Sequence, residues 1–129
     1  MAGYSGTPLE KKLGIKPGHR VLLLNAPEGF VLEGVDPVRS LRGKADVILS
    51  FHTERRGLEK RLPALRAALV PNGGLWIAWP KKASKVPTDV DEHVVRALGL
   101  ANRLVDNKVA AVDEVWSGLR LVIRVRDRV

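Results

Sequence analysis

Three short runs of large apolar residues punctuate the chain, at 21–24 (VLLL), 45–51 (ADVILSF) and 75–79 (LWIAW). Each is too short for a buried helix and is bounded by turn formers, the pattern of a strand covered on both faces. Between the second and third runs, Leu58, Leu62, Leu65 and Leu69 recur at spacings of 4, 3 and 4, which predicts an amphipathic helix over 54–70. Pro63 lies inside that helix and is expected to kink or split it, because its ring meets the carbonyl of Glu59. The stretch Pro71-Asn72-Gly73-Gly74 reads as an abrupt stop before the third strand.

The flanks carry cap and turn signals. Thr7-Pro8-Leu9-Glu10 has the form of a helix start, with Thr7 as cap and Glu10 returning a bond to it, and Gly14 closes that helix early. Pro27-Glu28-Gly29 turns the chain after the first strand, and 30–32 is a short helix or loop. The segment 35–41 is expected to be a short strand, held to a sheet edge by Pro37. Thr88-Asp89-Val90-Asp91 starts a last helix, whose apolar face would hold Val90, Val94, Leu98 and Ala101, with Asn102 as its left-handed end. Then 108–116 and 119–126 flank Ser117-Gly118. Leu119, Leu121, Ile123 and Val125 alternate with Arg120, Val122, Arg124 and Arg126, which predicts a β-hairpin turning at Ser117-Gly118.

Alternating strands and helices, with strands buried on both faces, predict an α/β fold: a three-layer, mostly parallel Rossmann-like sheet with a C-terminal antiparallel hairpin. At 129 residues the chain has the length of one compact domain, taken as 1–129.

Composition narrows the chemistry. Lys and Arg number 22 against 14 Asp and Glu, a net charge of +8, which favours anionic partners. The basic residues fall in short clusters, and with aromatics at 5% none interleaves with them as in single-strand binders. A solvated cationic surface accounts for most of this charge, and association with nucleic acid stays as an alternative. The absence of cysteine excludes disulfides, a thiolate nucleophile and cysteine-ligated zinc or iron. His19, His52 and His93 show no metal-ligand spacing, so no metal site is expected. No run approaches the roughly 20 apolar residues of a membrane span. No apolar leader segment is visible near Met1, and Ala2 stands where a myristoylated glycine would be, so cytoplasmic residence is expected.

Two resemblances add to this reading. Leu13-Gly14-Ile15-Lys16-Pro17-Gly18 before a strand resembles the entry to the first strand of class I methyltransferases. From Ala45 onward the order of elements, the PNGG stretch and the closing hairpin resemble the second half of that fold. The family's glycine-rich turn is represented only by Asn25-Ala26-Pro27-Glu28-Gly29. Its ribose-binding acid at the end of a second strand has no clear counterpart, Glu33 and Asp36 being the only acids in the interval. Across nearly its whole length the chain resembles a family of small bacterial proteins catalogued as a domain of unknown function. The stretches that carry this are Leu13 to Gly18, Gly73 to Trp76, Trp79 to Lys82 and Trp116 to Arg120. That resemblance implies a truncated methyltransferase-like fold and leaves activity open.

In open parallel sheets ligands sit beyond the carboxyl ends of the strands. That edge would collect Asn25, Glu28 and Gly29 after the first strand, His52 after the second, and Lys81, Lys82 and Ser84 after the third. The hairpin would add Trp116 and Ser117. Lys81 and Lys82 beside a helix N-terminus would suit a phosphate or carboxylate, and His52 a general base or ligand contact. Each has a plainer alternative: a solvated lysine pair, a histidine closing a strand, turn residues and packed tryptophans. No Gly-x-Ser-x-Gly elbow and no phosphate-binding glycine loop is present, so no catalytic residue is assigned. The leading expectation is a non-catalytic binding or interaction module on a degenerate methyltransferase-like fold. Its partner would be an anionic small molecule or a protein, a second copy included, with no resident cofactor. The alternatives are a minimal methyltransferase using S-adenosylmethionine and a nucleic-acid-associated protein.

Overall fold

All four side chains of β1 (Val21–Leu24) are buried. So are six of the seven in β2 (Ala45–Phe51) and the last eight of β3 (Leu69–Pro80), as continuous apolar runs require. The computed structural model describes residues 7–128, so the expectations placed on Met1 to Gly6 lie outside the described residues. Among these residues the elements are α1 (Leu9–Lys12), β1, β2, α2 (Arg55–Ala67), β3, α3 (Glu92–Ala101), β4 (Leu104–Ala111) and β5 (Trp116–Ile123). One sheet runs β1-β2-β3-β5-β4. β1, β2 and β3 are parallel, and β5 is antiparallel to both β3 and β4.

Two apolar clusters enclose the sheet. Leu58, Leu62 and Leu65 of α2 pack with Val95 and Leu98 of α3 against Leu22, Ile48 and Ile77. On the other face Leu13, Leu32 and Val112 cover Val21, Leu23, Val47, Leu49 and Trp76. The fully buried Trp76 donates its indole N–H to the carbonyl of Leu13 at 3.0 Å, tying the end of α1 to the sheet. No helix among the described residues is long and apolar enough to cross a membrane.

Several local expectations are corrected. Pro8 rather than Thr7 occupies the cap position of α1, and the Glu10 carboxylate reaches across to accept from Glu33 N at 3.1 Å. The expected edge strand over 35–41 shrinks to a single parallel bridge, Leu22 to Val38. α2 runs through Pro63 without dividing. Pro63 and Glu59 both lie on its exposed side, where water can take the freed carbonyl.

Leu69 belongs to β3, not to the helix, and the PNGG stretch lies within that strand as an irregularity. β3 advances five residues from Leu69 to Gly74 while β2 advances two from Ala45 to Val47. Such a bulge is where a strand tolerates proline. α3 starts three residues later than the Thr88 signal suggests, because Asp91 is its cap, accepting from Val94 N at 2.9 Å. Its buried residues are Val95, Leu98 and Gly99, and the left-handed residue after it is Arg103 rather than Asn102. The hairpin turns at 112–115, not at Ser117-Gly118. Asp113 Oδ1 accepts from both Val115 N and Trp116 N at 2.8 Å, a side-chain turn that moves the reversal upstream.

Candidate functional site

Parallel strands send their carboxyl ends to one rim, and the chain crosses this rim after β1, β2 and β3 and again at the β4–β5 turn. Asn25 leaves β1 in the left-handed region, with φ 58°, and turns the backbone sharply outward. Gly29 also needs positive φ, at 82°, and a side chain there would meet open space. Lys81 N donates to Val115 O at 2.8 Å, and Lys81 Nζ donates to Asp113 O at 2.8 Å. The end of β3 is thereby clamped to the hairpin tip.

Three aromatic rings form a wall across the rim. Phe51 meets Phe30 and Trp116 edge-on, with ring centroids 5.0 Å apart in each pair. A cleft of about 610 Å3 lies on the α1 side of this wall, lined by Glu10, Glu28, Gly29, Phe30, Glu33, Asp113 and Trp116 among others. Among the described residues it carries four carboxylates and no cation, in a chain whose net charge is +8. Two carboxylates are already engaged, Glu10 by Glu33 N and Asp113 by the turn it makes, whereas Glu28 is exposed.

A second cleft, about 280 Å3, lies on the other side of Trp116 and is lined by Asn25, His52, Thr53, Glu54 and Gly57. His52 is 7% exposed, and its Nε2 lies 2.7 Å from the hydroxyl of the buried Ser50. Burial, and secondarily the positive charge of Arg61, lowers its pKa from 6.5 to about 4. The ring is therefore neutral at neutral pH and bonded into the core.

A third cleft, about 470 Å3, holds Lys81, Lys82 and Ser117 together with Asp89, Asp91 and Glu92. The lysine pair thus faces carboxylates as well as solvent. Ser84 stands apart, its hydroxyl donating to Lys81 O at 2.6 Å within a turn. Asp89 accepts from Arg55 N at 2.6 Å and so serves the start of α2, whose own Glu54 makes no side-chain cap bond.

All nine residues singled out from the sequence follow strand ends or stand at the start of β5, but eight of them divide among three clefts instead of meeting in one, and Ser84 lines none of the three. Glu10, Phe30, Glu33 and Asp113 were not anticipated there. Glu10 and Glu33 meet only through tertiary folding. Asp113 had a readable signal, an aspartate followed by two bonded amides in a Val-Asp-Glu-Val-Trp stretch between strands.

Solved structures superpose on this fold at low sequence identity. Ribosomal protein L11 methylase from Lactobacillus delbrueckii subsp. bulgaricus superposes with a TM-score of 0.58 at 12% identity, over 90% of this chain and 75% of that one. LepI in complex with SAM gives a TM-score of 0.58 at 12% identity, over 90% of this chain and 39% of that one. Magnesium protoporphyrin IX methyltransferase from Synechocystis PCC 6803 with bound SAM gives 0.54 at 13% identity, over 71% of this chain and 48% of that one.

The fold is methyltransferase-like.

The chain spans about half the length of the Synechocystis enzyme and 39% of LepI. No family model matches the chain, and no curated protein sequence matches it. The methyltransferase-like fold is shown, and membership of the small bacterial family is not.

This methyltransferase-like sheet departs from the usual donor site in two places. No helix follows β1, so no helix N-terminus faces the rim there. The strand beside β1 is reduced to Val38, and the residues after it are Arg39 and Ser40 rather than an acid. The acidic, aromatic cleft by its charge suits a cationic ligand, and its carboxylates can accept from ammonium and hydroxyl groups.

Proposed function

We propose that the chain binds S-adenosylmethionine in the cleft between α1 and the β4–β5 turn and acts as a compact methyltransferase. The observation that carries this reading is the charge of that cleft: four carboxylates and two aromatic rings, without a cation among the described residues, on the carboxyl rim of a methyltransferase-like sheet. Its volume of about 610 Å3 lies within the range of small-ligand pockets, about 300–1,000 Å3. Glu28, exposed and without a partner among the described residues, is the carboxylate best able to face a sulfonium or amine, with Phe30 and Trp116 as apolar walls. The neighbouring His52 is neutral but held by Ser50, so no proton transfer is assigned to it.

Calorimetric titration of the whole chain tests this. S-adenosylmethionine should bind more tightly than S-adenosylhomocysteine, which lacks the sulfonium charge, and Glu28→Gln should narrow the difference. No heat and no thermal shift at millimolar ligand would sink the proposal.

A second reading, binding without methyl transfer, is favoured by the turn after β1, which has one glycine and no following helix. Saturable binding without methylation of protein, RNA or small-molecule acceptors would favour it over the first.

A further inference from the structure

We propose that Arg120, Lys108 and Lys12 form a phosphate-binding site on the α1 face of the sheet, apart from the rim. Lys108 and Arg120 are direct partners across β4 and β5, and Arg120 is paired in turn with Trp76 of β3, so both side chains rise on the face that α1 covers. The end of α1 meets them there. Lys12, Leu13, Gly14, Asn107, Lys108 and Arg120 line a cleft of about 260 Å3 that contains three cationic side chains and no carboxylate.

Two acids of this region are paired with other cations. Asp106 pairs with Arg96 at 3.1 Å, and Asp127 lies 3.7 Å from Arg103. The Arg120 guanidinium has neither a hydrogen bond nor an ion pair among the described residues. Its half-buried guanidinium lies over Gly74, where a Cβ would come within 2.8 Å of Cζ. Burial, and then the charge of Arg128, disfavours its cationic form, so an anion arriving here relieves an existing penalty.

Three positive groups around a small, open cleft suit a phosphate dianion. The planar arginine fork takes two oxygens, and the lysines act as flanking point charges. No aromatic side chain lines the cleft, so recognition stops at the phosphate group and the rest of the ligand lies outside. A free phosphate ester and a nucleic-acid backbone present this same chemistry.

The test is titration of the full chain with inorganic phosphate, with adenosine monophosphate and with a short single-stranded RNA, followed by amide chemical shifts of 12–14, 107–108 and 120. Saturable shifts confined to these residues are expected. Arg120→Gln should weaken phosphate binding about tenfold, the scale of one charge-assisted bond. Lys12→Gln with Lys108→Gln, on side chains outside the core, should do the same and serves if the Arg120 variant fails to fold.

RNA binding far tighter than phosphate, with a log–log salt slope that falls by about one per cation removed, identifies a backbone as the source. Similar affinity for phosphate and the nucleotide identifies a free ester. Equal binding by the wild type and both variants, or shifts spread over the whole cationic surface, would overturn the site. S-adenosylmethionine binding at the rim should be unaffected in these variants, so the two proposals fail or stand separately.

Discussion

Gly74 and Arg120 occupy the same space on the sheet: the guanidinium of Arg120 lies where a side chain at position 74 would begin, with Cζ and Nη2 2.8 Å from the ideal Cβ. The preceding glycine is constrained differently. A Cβ at Gly73 would stand 2.7 Å from the backbone carbonyl of Asp46 and 2.9 Å from Leu69 Cδ1.

These two neighbours should therefore respond differently to alanine. A flexible arginine can swing away, whereas a carbonyl in a paired strand cannot. Gly73→Ala should destabilise by about 1–3 kcal/mol, as overpacking does. Gly74→Ala should cost less, while displacing Arg120 and weakening phosphate binding. Chemical denaturation of both variants, with phosphate titration of the second, checks the pair. Equal destabilisation would show that Arg120 is not free to move.

The buried His52 makes stability depend on pH in a defined window. Its pKa is about 4 in the fold against 6.5 for an unperturbed ring. Above about 6.5 both states hold it neutral. As pH falls from there towards 4 the unfolded chain takes up a proton that the folded chain refuses, so stability falls. The slope from this group approaches about 1.4 kcal/mol per pH unit and flattens below the folded value. His52→Gln should remove that component of the profile. An unchanged slope in urea melts between pH 4 and 6.5 would place the acid sensitivity elsewhere.

How far the sequence reached depended on the range of the interactions involved. β1, β2 and the core of β3 are legible because continuous apolar runs need only local reading, and the shared rim follows from parallel strands. Long-range features were not legible. The Leu69 to Gly74 bulge depends on how β3 registers against β2. The turn at Asp113 displaced the Ser117-Gly118 reading because the aspartate bonds two amides at once. The acidic cleft needs Glu10, Glu28, Glu33 and Asp113 from three distant segments, and no spacing along the chain brings them together.

Trp76 should be the most sensitive single contact between α1 and the sheet. Its side chain is fully buried and its indole N–H is the bond to Leu13 O. Trp76→Phe removes the donor and some volume, leaving a buried carbonyl unpaired, at about 1–3 kcal/mol for the carbonyl alone. Because Leu13 and Gly14 line the basic cleft, the loss should also weaken phosphate binding. Hydrogen exchange of 9–15 should accelerate more than that of β2. Uniform acceleration across the sheet would mean that the bond holds the whole core rather than one end of α1.

The hairpin tip offers the sharpest test of the rim. Asp113 Oδ1 holds the amides of Val115 and Trp116, and Trp116 divides the acidic cleft from the one lined by His52. Asp113→Ala leaves the Lys81 Nζ contact to the backbone carbonyl chemically intact but frees two amides. The expected cost is about 1–2 kcal/mol, the scale of a lost side-chain cap. Trp116 should lose its fixed edge-on packing with Phe51, seen as a change in near-ultraviolet circular dichroism. S-adenosylmethionine binding should weaken further than through loss of the carboxylate's charge, so Asp113→Asn, which keeps an acceptor for both amides, should retain more affinity than Asp113→Ala. If the two variants bind alike, the turn geometry is irrelevant to the ligand and Asp113 acts through charge alone.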